Sequence, residues 1–516
     1  MLTIPAIDPA TGLAFAETPV TTEEGVAFAM QAARAAQPAW AAQPLAHRRA
    51  IITSFQRVLY QRRQEVAELI TRENGKPLGE ALLTDVAVTL DLARYYLAQA
   101  ETILRPRRIT HGNIAFLGKR GRLYWEPLGV IAVISPWNYP LLLPFGELLP
   151  ALLSGNAVIL KPSEFTTRTA ALGVELLHEA GVPPAICQLV AGAGDVGASL
   201  IAAAPDKVFF TGSARTGRKV AVAAAERFIP VSLELGGSDA CIVLADADLD
   251  RAASGSLWAR FTNGGQTCVA AKRIIVEHSV YDRFVSMLVQ KVGLLQIGAG
   301  ARPGVDMGPM IRESQLVELE RQLASATAAG ATIRIGGRRR PDLGPTFFEP
   351  TVVTDLPLDS PLWREEVFGP VMPVVPARDA EDALRLANDS AYGLSGSVWT
   401  GDRARGLELA RRVGAGAVLV NDATCHVGIA EVPHGGEKES GLGRTHGEIG
   451  LLETCRPRYV GSDLLDWIRK PWWFGYHEAS YGNRDAFLRF AFAPSILERL
   501  RAAPKALRML FNRREV

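Results

Sequence analysis

The stretch from Leu128 to Gly237 constrains this chain most. Short apolar runs at 130–134, 157–160, 188–190, 207–210 and 231–233 alternate there with helical patterns over 143–153, 166–180, 196–203 and 216–227. Strands that are apolar throughout, rather than at every second residue, are buried on both faces. With helices between them they predict a parallel sheet wrapped on both sides, a doubly wound α/β domain whose ligands sit at the carboxyl ends of the strands.

At 516 residues the chain holds more than one core. An Ala/Leu/Arg-rich helical region precedes the alternating stretch. It opens at Thr21-Thr-Glu-Glu24, where the spacing predicts a capping box, stops at Asn74-Gly75, and resumes to about Leu104. Pro106 ends it, and residues 106–126 read as extended segments at 107–109, 113–117 and 122–125, a projecting hairpin. A second α/β region follows Gly237. The expected organisation is therefore a nucleotide-binding domain from 1–105 and 127–237, a catalytic domain over 238–430, an arm from 106–126 and 455–462, and an extension over 463–516.

A formal net charge of +2 gives no field for nucleic acid. Five scattered cysteines without a CxxC pair argue for a reducing compartment and against a disulfide framework, and no His/Cys spacing fits a metal. The N-terminus lacks a signal-peptide pattern and no apolar run reaches about 18 residues, so a cytoplasmic location is expected.

The chemistry gathers around Cys268. It follows Gly264-Gly-Gln-Thr267 and precedes the strand-like run 274–277, the junction at which a thiol can face a cleft with its N–H free. Glu234 ends an apolar strand before Gly236-Gly237, where a carboxylate can act as a base. Asn138, between Pro136 and Pro140, can donate an amide N–H to an oxyanion. Residues 210–217 join a strand to a helix N-terminus through Gly212, an anion site, and Lys161 with Glu164 stands at the end of another strand. Each alone has an ordinary reading: a surface glutamate, a capping asparagine, a solvated ion pair, a core cysteine.

Together, PLGVIAVISPWNYP (127–140), GNAVILKPSE (155–164), FTGSARTG (210–217), LELGG (233–237), GGQTC (264–268), EEVFGPV (365–371) and PHGGEKESGLGR (433–444) resemble the aldehyde dehydrogenase superfamily, in order and over roughly residues 10–460. The resemblance implies the hydrolytic, NAD(P)-dependent branch, because Glu234 is present. It makes Cys268 the nucleophile, Glu234 the base, and Asn138 with the Cys268 N–H the oxyanion hole. It assigns the cofactor to Ile134, Pro136, Trp137, Lys161, Ser163, Glu164, Gly212, Ser213, Gly217, Leu235, Gly236, Glu366 and Phe368. Glu164 favours NAD, with NADP possible. The family's tunnel would be lined by Phe145, Trp258, Phe261, Val269 and Val427, with Cys425 near its mouth. That set is apolar and contains no arginine pair, which implies a medium- or long-chain aliphatic or aromatic aldehyde. The alternatives are a succinate-semialdehyde-type dehydrogenase and a non-redox cysteine thioesterase or esterase. His426 and His434 fall in loops, and the family needs no histidine. The arm implies a homodimer or a dimer of dimers.

The extension departs from the family pattern. Aromatic residues at 467–481 precede a stretch from Phe487 to Arg514 that mixes apolar side chains with arginines and lysines. Two readings are open, an interfacial membrane helix and a tail that packs on this or a neighbouring subunit; packing is the favoured one. Pro494 and Pro504 are expected to cut it into short helices.

Overall fold

The computed structural model describes residues 2–511 except 114, 115, 117, 468, 469, 471, 475 and 477. The expected extended segment at 113–117 and the terminal Arg513 and Arg514 thus lie partly or wholly outside the described residues. The chain forms two compact units, one from Met1–Ile103 with Pro127–Cys455 and the other from Leu104–Glu126 with Arg456–Val516.

In the first unit, the alternating stretch builds a six-stranded sheet in the order Gly441–Leu442, Val231–Glu234, Lys207–Thr211, Val130–Ile134, Ala157–Lys161, Cys187–Leu189. All pairings are parallel except that of Gly441–Leu442 with Val231–Glu234. Val130–Ile134 lies between Ala157–Lys161 and Lys207–Thr211, so the order of the chain reverses there and opens a crevice at the carboxyl ends. Val130–Ile134 and Ala157–Lys161 are buried at every residue, which is why their sequences are continuously apolar. The return strand Gly441–Leu442 comes from the PHGGEKESGLGR stretch, far away in the chain.

The second sheet has seven strands, in the order Thr332–Ile335, Thr351–Thr354, Val371–Ala377, Ala271–Glu277, Asp239–Val243, Ser395–Trp399, Ala417–Val420. Only the edge strand Thr332–Ile335 is antiparallel to its neighbour. One face packs Trp363, Leu316 and Leu362, the other Phe284, Leu288 and Trp399.

Several local expectations shift. The N-terminal turn at 8–12 joins a two-stranded hairpin, Thr3–Asp8 with Leu13–Pro19. The first helix, Glu23–Ala41, is capped by Thr22, whose hydroxyl accepts from the Gly25 N–H; Thr21 instead accepts from the Ala191 N–H at 2.9 Å. A tertiary partner for Thr21 thus moves the cap by one residue. Helix Leu142–Ser154 is buried at every position, so Phe145 stacks on Phe55 at 5.3 Å within the core.

A buried ion pair ties the helical region to the site. Lys76 Nζ meets Asp85 at 2.8 Å, both side chains fully buried, and also donates to the Asn138 carbonyl at 2.8 Å. Asp85 accepts from the N–H groups of Leu141 and Leu142. Removing one partner strands a buried charge. Lys76→Met should therefore destabilise the chain by about 3–5 kcal/mol, read as a lower urea midpoint with an unchanged slope.

In the second unit, Cys455–Asp463, Lys119–Pro127 and Arg107–Ile109 form a three-stranded sheet. Arg107–Ile109 runs antiparallel to Lys119–Pro127. Two helices follow, Glu478–Phe492 and Ile496–Phe511. The break falls at Pro494 as expected, but Pro504 lies inside the second helix, since a proline forfeits one backbone bond without obliging a helix to end there. Among the described residues, no helix is long and apolar enough to cross a membrane.

Candidate active site

A cavity of about 760 Å³ opens at the switch point of the six-stranded sheet and reaches Cys268. Ile134, Lys161, Thr211 and Glu234, the last residues of four strands, line it. Every residue assigned to the cofactor from the sequence lies on its wall except Gly217. Gly217 is buried one turn into helix Ala214–Ala225, where a Cβ would stand 2.4 Å from Leu235.

Cys268 owes its position to the turn before it. Asn263, Gly264 and Gly265 are successively left-handed, with φ of 51°, 63° and 74°. A Cβ on Gly265 would lie 2.4 Å from the Gly369 carbonyl oxygen, so only glycine fits. Gln266 locks the turn by donating to the Asn263 carbonyl and accepting from the Ile311 N–H. After the turn, Lys272 donates to the Cys268 carbonyl at 2.6 Å and to Glu366 at 3.0 Å. The Cys268 N–H itself has no acceptor among the described residues.

Asn138 is fixed at both ends. Its backbone carbonyl accepts from Lys76 and from Asn263, and its side-chain N–H donates to the Gln266 carbonyl at 3.1 Å. Its amide thus lies against the turn that carries the thiol. Glu234 is buried, and neither carboxylate oxygen has a hydrogen-bond partner among the described residues. Burial above all, with buried Glu147 nearby, holds its pKa well above the usual carboxylate range, while Arg444 works the other way. The Cys268 thiol is pushed up to about 12 by burial, with Lys272 opposing.

Three residues that the sequence left as loop histidines or unmentioned stand beside Glu234. His434 Nε2 lies 3.8 Å from a Glu234 oxygen, and the rings of His426 and His446 flank His434 at 5.7 and 5.9 Å. Burial lowers the pKa of His426 and His446 to about 4 and holds that of His434 well below the usual imidazole value, so all three are neutral at neutral pH. Lys272 was also missed, although its place four residues after Cys268 was a local signal. Arg312 had none. It comes from a distant loop to the cavity wall and stacks on Phe165 at 4.6 Å.

At the far end of the cavity the Lys161 ammonium is almost wholly buried, and its nearest carboxylate, Glu164, is 3.9 Å away, beyond a hydrogen bond. Helix Ala214–Ala225 begins there, capped by Ser213. Buried donors at one end and a thiol at the other form a donor set that fits a dinucleotide. Arg260 steadies the intervening wall. Its guanidinium donates to the carbonyls of Val367, Gly369 and Val371, around Phe368, which meets Trp137 edge to face at 5.4 Å.

The expected substrate walls fare differently. Phe145 and Phe261 are packing residues, the first on Phe55 and the second in the core behind the seven-stranded sheet, because both helices turn those positions inward. Trp258 is about half exposed. Val269 is buried beside Cys268, and its carbonyl accepts from Thr424, so the loop of Cys425 and Val427 is held against the thiol's turn. None of the six lines the cavity described above.

Fold and cavity define a class, a two-sheet α/β oxidoreductase whose dinucleotide crevice ends on a cysteine. The profile of the aldehyde dehydrogenase family matches residues 2–460, and the chain belongs to that family. It is 38% identical over 508 residues to the 4,4'-diapolycopene aldehyde oxidase of Methylomonas sp, covering 98% of this chain and 95% of that protein. A Mycolicibacterium smegmatis protein, provisionally named an NADP(+) succinate-semialdehyde dehydrogenase, is 39% identical over 88% of each chain. Among solved structures, the NAD+ complex of a Bacillus cereus aldehyde dehydrogenase superposes with a TM-score of 0.86 at 33% identity, covering 90% of this chain and 93% of that one. The chain is thus an NAD(P)-dependent oxidoreductase acting on aldehydes.

Proposed function

We propose that this enzyme oxidises an apolar aldehyde, long-chain or aromatic, to its carboxylic acid through a thioester on Cys268. The observation that carries the chemistry is the meeting of Cys268, Glu234 and Asn138 on one cavity wall. Cys268 gives up its S–H proton to water, Sγ bonds to the carbonyl carbon as the C=O π bond breaks, and the resulting oxyanion faces the Asn138 amide and the unoccupied Cys268 N–H. NAD(P), when bound, supplies the hydride acceptor. Glu234 then takes a proton from water, the water oxygen attacks the acyl carbon, and the C–S bond breaks to release the acid. Lys161 and Glu164 would hold the adenosine ribose, Ser213 the pyrophosphate and Glu366 the nicotinamide ribose.

The apolar substrate rests on the relative named for diapolycopene aldehyde, whose likeness covers nearly the whole chain and so extends well past residue 460. Arg444, the cation that opposes the upward shift of Glu234, donates from Nη1 to the carbonyls of Gly436 and Gly443. The second reading, succinate semialdehyde, has the other relatives' names behind it. Turnover on straight-chain aldehydes of rising length, aromatic aldehydes and succinate semialdehyde separates the two. A higher kcat/KM for succinate semialdehyde than for any apolar aldehyde sinks the first.

For the cofactor, Glu164 repels a 2′-phosphate while Arg312 on the same wall attracts one. Glu164→Gln should raise kcat/KM for NADP relative to NAD roughly tenfold, the effect of removing one partly screened charge. The exposed edge strand Cys455–Asp463 fits pairing with a second copy of the chain, testable by light scattering as a multiple of 55.6 kDa.

A further inference from the structure

The two C-terminal helices each turn a stripe of apolar residues outward. Among the described side chains the fully buried positions are alanines, Ala486 in Glu478–Phe492 and Ala502 and Ala506 in Ile496–Phe511. Phe487 and Phe490 are half-buried, but other large apolar side chains face water in two stripes. On the first helix, Tyr481, Leu488 and Phe492, spaced by seven and four, form one stripe and are 56–77% exposed. On the second, Ile496, Leu500 and Leu507, spaced by four and seven, form another and are 47–74% exposed. At 100° per residue, Arg501, Lys505 and Arg508 fall on the arc beside that second stripe, and all three are exposed. The segment before the helices exposes Trp467, Trp473, Phe474 and Tyr476.

A helix that packed on its own protein would bury the leucines and expose the alanines. Here Leu488, Leu500 and Leu507 are exposed while Ala486, Ala502 and Ala506 are buried. Apolar stripes with aromatic residues and a basic flank are the composition of a surface that lies in the headgroup region of a bilayer. Neither helix can span one. The basic flank selects the charge of the partner.

We propose that this face docks on an anionic lipid surface, with both helices lying in the plane of the interface. Leucine and aromatic side chains enter the acyl boundary, and Arg501, Lys505 and Arg508 meet the phosphate headgroups. An apolar aldehyde partitions into the same layer, so docking would bring the enzyme to the substrate proposed above. The docking itself does not depend on that reading.

The test uses the full chain with vesicles of phosphatidylcholine alone or mixed with phosphatidylglycerol. The chain should sediment with the mixed vesicles, with a blue shift of tryptophan emission, and bind vesicles lacking phosphatidylglycerol about a hundredfold more weakly. Leu500→Glu/Leu507→Glu and Arg501→Glu/Lys505→Glu/Arg508→Glu should each abolish sedimentation. Both should oxidise a short, water-soluble aldehyde at the unaltered rate, which confirms that they fold. Absence of sedimentation with either vesicle overturns the proposal, as does sedimentation that survives both variants. Should Leu500→Glu/Leu507→Glu instead reduce the mass of the particle in solution, the stripe is covered by a second copy of the chain and the lipid assignment fails.

Discussion

Replacing Cys268 with alanine should abolish NAD(P)H formation from every aldehyde while the chain keeps its fold and its hold on the dinucleotide. The loss should be roughly 10⁵-fold or more, about 7 kcal/mol in the barrier, because no other group can bond to the carbonyl carbon. Cys425, also partly exposed, does not line the cavity, and Cys187, Cys241 and Cys455 are buried. The turn that presents Cys268 is held by Gln266, Gly265 and Lys272, whose bonds use backbone atoms and other side chains rather than Sγ. Removing the sulfur leaves them in place, so the melting temperature should hardly move. Measurable turnover at the wild-type rate in this variant would refute the nucleophile assignment.

Glu234→Gln should act on the second half of the reaction. Loss of a base costs about 10²–10⁴ in the step it serves. If that step is deacylation, a rapid burst of about one NADH per site should precede a slow steady state, because the thioester forms and then waits. The pH profile carries the sign. Glu234 must lose its proton to accept one from water, and burial keeps its pKa well above the usual carboxylate range. Wild-type deacylation should therefore rise with pH across a range displaced upward from that of ordinary carboxylates. The glutamine variant should lose this limb. During deacylation Cys268 is a thioester and has no proton to lose, so a rise that survived in Glu234→Gln would belong to a group other than either of them. A burst-free variant with unchanged steady-state turnover would exclude Glu234 as the base.

Much of the site is legible in the chain because its parts are local. Lys161 and Glu164 stand three residues apart at the end of a strand, and Gly212 and Ser213 sit where a strand becomes a helix. Glycine, proline and capping residues have strong short-range effects, so such junctions can be placed from the sequence. What could not be read involves residues joined only by folding. His434 is 200 residues from Glu234, yet 3.8 Å away, because Gly441–Leu442 returns beside Val231–Glu234. Arg312 reaches the cavity from outside the alternating stretch. Phe145 was expected at the substrate wall, but on a helix buried at every position an apolar residue has no signature that separates wall from core.

The sequence by itself determined the parallel sheet and the family, and it singled out the glycine turn before Cys268, because continuous apolar strands and glycine turns act over a few residues. Only the tertiary structure decided how Cys268 and Glu234 are tuned. Their pKa values come from burial, which depends on every element packed around them. It also decided which way the C-terminal stripes face. Composition sets how many apolar residues a helix carries, but only packing determines whether they meet protein or solvent, and here small alanines take the inside.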